Sequence, residues 1–130
     1  MGRAVLPNRR PDVVESFEWR NTRYDVTFGF GPDGKVREVF IHGAKVGSEM
    51  DGLLSDCSVL ASVLLQHGPT AADLDRHLGR EPAELGASAA SIIGYVMRRA
   101  AAVEAEEGGA MIESYRAVAG VGSYRPGGAV

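Results

Sequence analysis

Apolar and polar residues alternate through the first part of the chain, which is the period expected of strands with one buried face. The alternation begins at Ser16 and runs through two segments that meet at Asn21-Thr22. The apolar residues of the alternating faces are Phe17, Trp19, Tyr24, Val26, Phe28 and Phe30. This pattern predicts two strands joined by a short turn.

A third strand is predicted after the turn sequence Gly-Pro-Asp-Gly at residues 31–34. Proline presets φ for a turn, aspartate bonds the following backbone, and glycine tolerates positive φ. The apolar residues of the strand that follows are Val36, Val39, Phe40 and Ile41. Its far end is apolar on both faces, which indicates cover on both sides. The three segments together predict an antiparallel β-meander.

The spacing then changes to that of a helix. Ser48 followed by Asp51 matches a helix-starting box, in which the serine oxygen accepts an orphan N–H and the acid favours the positive helix end. We predict a helix from Glu49 to Gln66 that ends before Gly68-Pro69. Its apolar stripe has three-four spacing and is expected to lie across the sheet. The stripe comprises Met50, Leu53, Leu54, Cys57, Leu60, Ala61 and Leu64, widened by Val59 and Val63.

Two further helices complete the predicted domain. Thr70 and Asp73 repeat the cap spacing and open a short helix to Leu78, and a longer helix is expected from about Ser88 to Glu106, broken by Gly108-Gly109. The predicted fold class is α+β, a three-stranded antiparallel β-meander followed by and packed against two to three α-helices. We predict a flexible N-terminal arm at residues 1–15, a single domain at 16–106, and a weakly structured, glycine-rich tail at 107–130.

Composition and charge narrow the class of protein. With 130 residues, 45% of them hydrophobic and 24% charged, the chain has the size and composition of one ordinary globular domain. A formal charge of -3 disfavours a dedicated nucleic-acid binder, which usually carries a concentrated basic face, although local patches such as Arg98-Arg99 stay open. No apolar run approaches the roughly 20 residues of a membrane span, and the N-terminal segment lacks the apolar middle of a signal peptide. We expect a soluble, cytoplasmic protein.

The strongest candidate site is the bend that joins the third strand to the first helix. There Gly43, Lys45, Gly47 and Ser48 precede a helix N-terminus, where free N–H groups and the helix dipole attract anions. A phosphate or carboxylate is the expected ligand. The spacing is not that of a Walker loop or a dinucleotide fingerprint. The alternative interpretation is that the glycines serve only to turn the chain tightly.

The other chemically active side chains favour structural roles. His42, His67 and His77 lack the short-range spacing of metal ligands, so no metal site is predicted. Cys57 is the only cysteine, which excludes an intrachain disulfide, and its place on the apolar stripe predicts burial. The acids at the helix starts are explained by the helix dipole. We predict no catalytic residue and no cofactor.

The segment from Gly34 to Gly68 resembles the TSCPD domain, which is found at the carboxyl end of cobalamin-dependent ribonucleotide reductases and in short stand-alone proteins. The matching features are a strand of the form Arg-Glu-Val-Phe-Ile, a turn at residues 43–49 with glycine, lysine, glycine, serine and an acid in that order, and a leucine-rich helix before Gln66. The short helix at 70–78 also fits. The resemblance implies an α+β accessory module connected with nucleotides. The reductase barrel and the terminal cysteine cluster of that family have no counterpart in these residues.

Two functional hypotheses follow. The first is a ribonucleotide-reductase-like accessory or binding module, non-catalytic alone, that binds a nucleotide or another anion at the bend. The alternative is a structural or interaction protein that oligomerises or docks on a larger assembly through its sheet face and basic arm. Because a three-stranded sheet leaves one partly apolar face open, a homo-oligomer is expected.

Overall fold

Three strands precede three α-helices in the computed structural model, which describes residues 2–3 and 11–119. The strands are β1 at Asp12–Trp19, β2 at Thr22–Phe30 and β3 at Val36–His42. The helices are α1 at Glu49–Gln66, α2 at Ala71–His77 and α3 at Ile92–Ala119, with a short 3-10 turn at Ala83–Leu85. The sheet is antiparallel in the order β1-β2-β3. This arrangement confirms the predicted α+β class and the meander.

The β1–β2 hairpin turns at Arg20 and Asn21, one residue before the predicted junction. Both residues have positive φ, 48° and 66°, which is the signature of the two-residue turn whose twist matches that of the flanking strands. Thr22 belongs to β2 and pairs with Trp19. A β-branched residue suits the strand, whereas asparagine tolerates the left-handed conformation of the turn.

β1 also begins earlier than predicted, at Asp12 instead of Ser16. Asp12 pairs with Gly29 and Val13 with Phe28, so this strand extends into the segment predicted as an arm. The sequence pattern there is weak because Val13 and Val14 are adjacent and only one of them can face the core. Val13 packs against the core, and Val14 is 60% exposed.

The hydrophobic core lies between one face of the sheet and α3. The side chains that are 0% exposed include Phe28 and Phe30 of β2, Val36 and Val39 of β3, and Val96, Met97 and Ala100 of α3. Phe28 and Phe30 alternate along β2, and the register shift between Gly29 and Phe30 brings Val36 onto the same face as Val39. The residues of α3 recur at three-four spacing, as one shared apolar layer requires. The helix that covers the sheet face is therefore α3.

α3 runs without a break through Gly108-Gly109, contrary to the predicted end of this helix near Glu106. The β2–β3 turn approaches α3 so closely at Gly108 that a Cβ there would lie 2.8 Å from the main-chain oxygen of Gly34. A Cβ on Gly34 would lie 2.6 Å from the oxygen of Gly108. The glycine is present for this close backbone contact, and the cost of glycine in a helix is offset by the packing around it.

α1 lies along the outer edge of β3 and does not cross the sheet as predicted. Ser62 Oγ accepts from the N–H of Val39 at 3.0 Å, and Ser58 Oγ accepts from the N–H of Ile41 at 3.2 Å. Gln66 Nε2 donates to the oxygen of Arg37 at 3.1 Å. The three contacts are four residues apart on the helix, which is a rise of about 6.0 Å, and two residues apart on the strand, which is about 6.8 Å. The two spacings are similar, so the contacts repeat along the whole edge. The helix thus satisfies backbone groups that a fourth strand would bind.

This position of α1 corrects the predicted buried stripe. The buried residues of the helix are Leu54, Ser58, Ala61, Ser62, Leu65 and Gln66. Of the predicted stripe, Met50, Leu53, Leu60 and Leu64 are between 42% and 64% exposed. The prediction failed because it ranked positions by hydrophobicity, whereas the open edge of β3 needs hydrogen-bonding side chains.

Candidate functional site

The bend at residues 43–48 connects β3 to α1 and opens to solvent. Gly43, Lys45 and Gly47 are exposed, and Ser48 is half-buried. The structure therefore brings the four predicted residues together at the N-terminus of α1. Lys45 forms no ion pair with any residue in the described part of the chain.

The two glycines of the bend differ in what they require. Gly43 has φ of 124°, and a Cβ there would lie 2.8 Å from the oxygen of Arg23. Gly47 has φ of 81° but faces open space, with nothing within 4 Å of the place that a Cβ would occupy. Both glycines are thus favoured by their positive φ, and Gly43 is required in addition by the close approach of Arg23.

The first turn of α1 already has protein partners for several donors. Ser48 Oγ accepts from the N–H of Asp51 at 3.1 Å, as the box predicted. The carboxylate of Asp51 accepts from the N–H of Gly47 at 3.0 Å, and Glu49 adds a second acid to this turn. An incoming anion would compete with Asp51 for the positive helix end. Anion binding at the bend stays a prediction.

The three histidines lie apart. His42 is exposed and stacks on Phe40 with 6.3 Å between ring centroids, and His77 is exposed at the end of α2. His67 is the C-cap of α1, where its backbone N–H donates to the oxygen of Leu64. Within residues 2–3 and 11–119, no group of three or more potential ligand side chains could hold a metal ion.

Cys57 is half-buried on α1 and lies in the exposed part of the apolar surface, between Leu53 and Leu60. The sequence favoured full burial as a small hydrophobic residue. Because the sheet-facing side of α1 is occupied by serines, the cysteine is displaced toward solvent.

α2 begins with a reciprocal capping box, as predicted. Thr70 Oγ1 accepts from the N–H of Asp73, and the carboxylate of Asp73 accepts from the N–H of Thr70 at 2.9 Å. The backbone bond from Thr70, followed by the Thr70 side chain, lowers the pKa of Asp73 below its ordinary value of 3.8. We assign Asp73 a structural role because its carboxylate binds the backbone at the start of α2.

The pair Arg98-Arg99 does not form a free basic patch. Arg99 binds Glu15 of β1 through two bonds of 3.0 and 2.8 Å, a bidentate geometry that joins α3 to the sheet. The bond to Glu15 raises the pKa of Arg99. Arg98 Nε lies 4.0 Å from the carboxylate of Asp75. Both arginines thus have acidic neighbours within the chain.

Sequence reasoning missed Glu104 and Lys35, which line an open depression of about 340 Å³ beside the β2–β3 turn. One carboxylate oxygen of Glu104 accepts from the N–H of Val36 at 2.8 Å, and the other lies 3.8 Å from Lys35 Nζ. The depression offers little for a ligand because its charges already bind one another. No sequence signal links residues so far apart in the chain.

No helix in the described part of the chain is long and apolar enough to cross a membrane. No solved structure matches the chain significantly. The relatives that match include the vitamin B12-dependent ribonucleotide reductase of Streptantibioticus cattleyicolor, which is 33% identical over 107 residues. The protein of the same name in Streptomyces coelicolor is 32% identical over 107 residues.

These alignments cover 76% of this chain but only 18% of the Streptantibioticus protein and 11% of the Streptomyces protein. The chain thus corresponds to a small part of each relative's length. The TSCPD domain family matches residues 4–101, which include the whole sheet, α1, α2 and the first part of α3. The chain therefore belongs to the TSCPD domain family.

Proposed function

We propose that this chain is an accessory module of the ribonucleotide-reductase type, non-catalytic alone, that acts by binding. The observation that carries this proposal is the alignment with vitamin B12-dependent ribonucleotide reductases over at most 18% of their length. A segment of that size is a module of the longer protein. The same module in this chain would act by binding to such a catalytic protein.

Complementation in trans tests this proposal. The matched segment is deleted from the Streptomyces coelicolor reductase, and ribonucleotide reduction is measured with and without added chain. We expect the added chain to bind the truncated protein and to restore part of the lost activity. The absence of both binding and restoration, with a truncated protein that remains folded, would contradict the proposal.

The ligand proposed for the bend is an anionic group such as a nucleotide phosphate. Lys45 is exposed, and the N–H of Gly47 lies beside the positive end of an 18-residue helix. Since Asp51 accepts from that N–H, its carboxylate is the competitor of the ligand.

Calorimetric titration with nucleotides tests the bend. Lys45→Ala should weaken binding and Asp51→Asn should strengthen it, because the first removes a cation and the second removes the competing charge. If the wild-type protein binds no nucleotide, the ligand proposal is contradicted. The accessory role is tested separately, by the complementation experiment.

The second candidate function is that of an interaction protein acting through the open sheet face. Val14 and Phe40 are 60% and 43% exposed on that face, where strand pairing places both of them beside Thr27. Their neighbours on the face include the charged residues Asp12, Asp25 and Glu38. Most residues of the predicted basic arm lie outside the described residues. Co-purification with and without residues 1–12 discriminates this candidate.

A further inference from the structure

Five residues of α1 form an exposed apolar row that we name the α1 seam. They are Met50, Leu53, Cys57, Leu60 and Leu64. Their spacing is three, four, three and four, which is the a/d pattern of a helix that packs against another helix. Four of them are 42%, 56%, 64% and 48% exposed, and Cys57 is half-buried. A seam of this kind becomes buried only when another helix packs against it.

The seam is distinct from the surface that α1 uses within its own fold. The residues that contact β3 and the core include Ser58, Ala61 and Leu65. At 100° per residue, the centre of the seam lies roughly 90° around the helix axis from the centre of these three positions. α1 therefore has two adjacent contact surfaces, and most of the seam is left exposed by the fold within the described residues.

Charge along α1 specifies how a partner can approach. The acids of the helix, Glu49, Asp51 and Asp56, lie in its first half, and residues 57–66 carry no charged side chain. Two copies of α1 in parallel would bring the acidic halves together. Two antiparallel copies would instead place each acidic half beside the uncharged half of the partner, with His67 near the acidic start.

The seam is also self-complementary in the antiparallel direction. In antiparallel pairs an a residue faces a d residue, so Cys57 would face the partner's Leu60 and Leu53 the partner's Leu64. This register includes every residue of the seam, since Met50 would face the partner's His67. A two-fold axis through the middle of α1 generates both halves of the contact, as a closed dimer requires.

We propose that the α1 seam is a docking surface for a second copy of this chain, bound with the two α1 helices antiparallel. The open sheet face is the poorer surface for this role because charged side chains surround Val14 and Phe40. The seam spans only about 21 Å of helix, so the contact belongs to the small, reversible class of interfaces. The dimer is expected to form at high micromolar concentration and to dissociate on dilution.

Sedimentation across a wide concentration range tests the association. The wild-type protein should shift from the 13.8 kDa monomer toward twice that mass as concentration rises. Leu60→Glu places a charge in the seam and should raise the dissociation constant by at least about tenfold, because the charge would be buried without a partner. Leu53→Glu serves as a second seam variant. Val14→Glu is the matched control, since Val14 is 60% exposed on the open sheet face.

Thiol cross-linking tests the orientation. In the proposed register the two Cys57 residues are offset by about 4.5 Å along the axis, so a short bismaleimide should join them. In a Met50→Cys variant that also carries Cys57→Ser, the two thiols would be about 26 Å apart along the axis and should not be joined by the same reagent. Circular dichroism and thermal melting establish that each variant is folded.

The outcomes separate the proposal from its alternatives. Concentration-dependent dimerisation that both seam variants weaken, with cross-linking at position 57 alone, supports it. A monomer at every concentration overturns it, as does a dimer that Val14→Glu weakens and the seam variants do not. Cross-linking at position 50 identifies a parallel pair and overturns the antiparallel arrangement.

Discussion

Arg37 donates from Nη2 to the carboxylate of Asp33 across 2.7 Å, although the Arg37 side chain is only 3% exposed. Its Nη1 donates to the oxygen of Leu65 at 2.7 Å, in the last turn of α1. Among the described residues its Nε has no hydrogen-bond partner. The guanidinium therefore joins the β2–β3 turn to the end of α1, and Asp33 supplies the opposite charge that makes its burial tolerable.

Replacing Asp33 by Ala should lower the free energy of unfolding by about 3–5 kcal/mol, because it leaves the buried charge of Arg37 unpaired. Chemical denaturation measures the effect. Arg76→Ala is the control, since Arg76 pairs with Asp73 on the surface and is 68% exposed, and it should cost less than about 1 kcal/mol. Equal effects of the two substitutions would contradict the role assigned to Arg37 and Asp33.

The adjacent glycines of α3 should respond oppositely to alanine. Gly108→Ala places a methyl group 2.8 Å from the oxygen of Gly34 and should destabilise by about 1–3 kcal/mol. Gly109→Ala meets nothing within 4 Å and should stabilise by about 0.5–1 kcal/mol through helix propensity. Thermal melting of both variants provides the comparison. A stabilised Gly108→Ala variant would show that the turn is free to move away from α3.

The serines of α1 that bind β3 should contribute more to the free energy of unfolding than the small size of their side chains suggests. Ser62→Ala leaves the N–H of Val39 buried and unbonded, at a cost of about 1–3 kcal/mol. Hydrogen exchange at the Val39 amide should accelerate. Ser55→Ala, on the exposed side of the same helix, should change stability by less than about 0.5 kcal/mol. Unchanged exchange at Val39 in the Ser62 variant would refute the pairing of α1 with β3.

The predicted domain boundary at residue 106 can be tested by truncation. The hydroxyl of Tyr115 donates to the oxygen of Phe30 at 2.5 Å, and Tyr115 is 4% exposed. A chain ending at Glu106 loses this buried aromatic residue and should be destabilised by at least about 3 kcal/mol. A chain ending at Ala119 retains it and should melt close to the full-length protein. If both truncated chains melt alike, the predicted boundary holds.

Acid should weaken the start of α2. The pKa of Asp73 is lower in the folded protein than its ordinary 3.8, first because of the backbone bond from Thr70. The unfolded chain therefore binds a proton at Asp73 more readily than the folded protein does. The contribution of Asp73 to the free energy of unfolding is complete above about pH 4 and is lost as the pH falls toward the folded pKa. Asp73→Asn should flatten stability against pH in that range. Glu84→Gln, at an exposed carboxylate, is the control for lost charge.

The local elements were predictable from the sequence where turn and cap chemistry is specific. The bounds of α1 are those predicted, because Ser48 at one end and Gly68-Pro69 at the other leave little choice. The capping box of α2 and the turn at residues 31–34 were predictable for the same reason. Each of these signals acts within a few residues, and their physics does not depend on the rest of the fold.

The placement of the helices was not predictable from these signals. In the sequence, Ser58 and Ser62 interrupt the apolar pattern of the helix. Their role as hydrogen-bond partners depends on the open edge of β3, which only the fold places beside them. In the sequence, Gly108 predicts the end of a helix. Only the folded structure shows that it allows the close approach of the Gly34 backbone. Of the candidate site, the sequence located the bend and its cap, but the bond from Gly47 to Asp51 depends on the folded backbone.

Because side chains of α1 occupy the backbone groups along one margin of the sheet, extended peptides cannot join the sheet there. In the part of the chain that the structure describes, β1 borders the opposite margin and pairs only with β2. Strand addition is therefore confined to the flank farthest from α1. An extended segment that joined the sheet would thus lie against β1, on the side opposite α1.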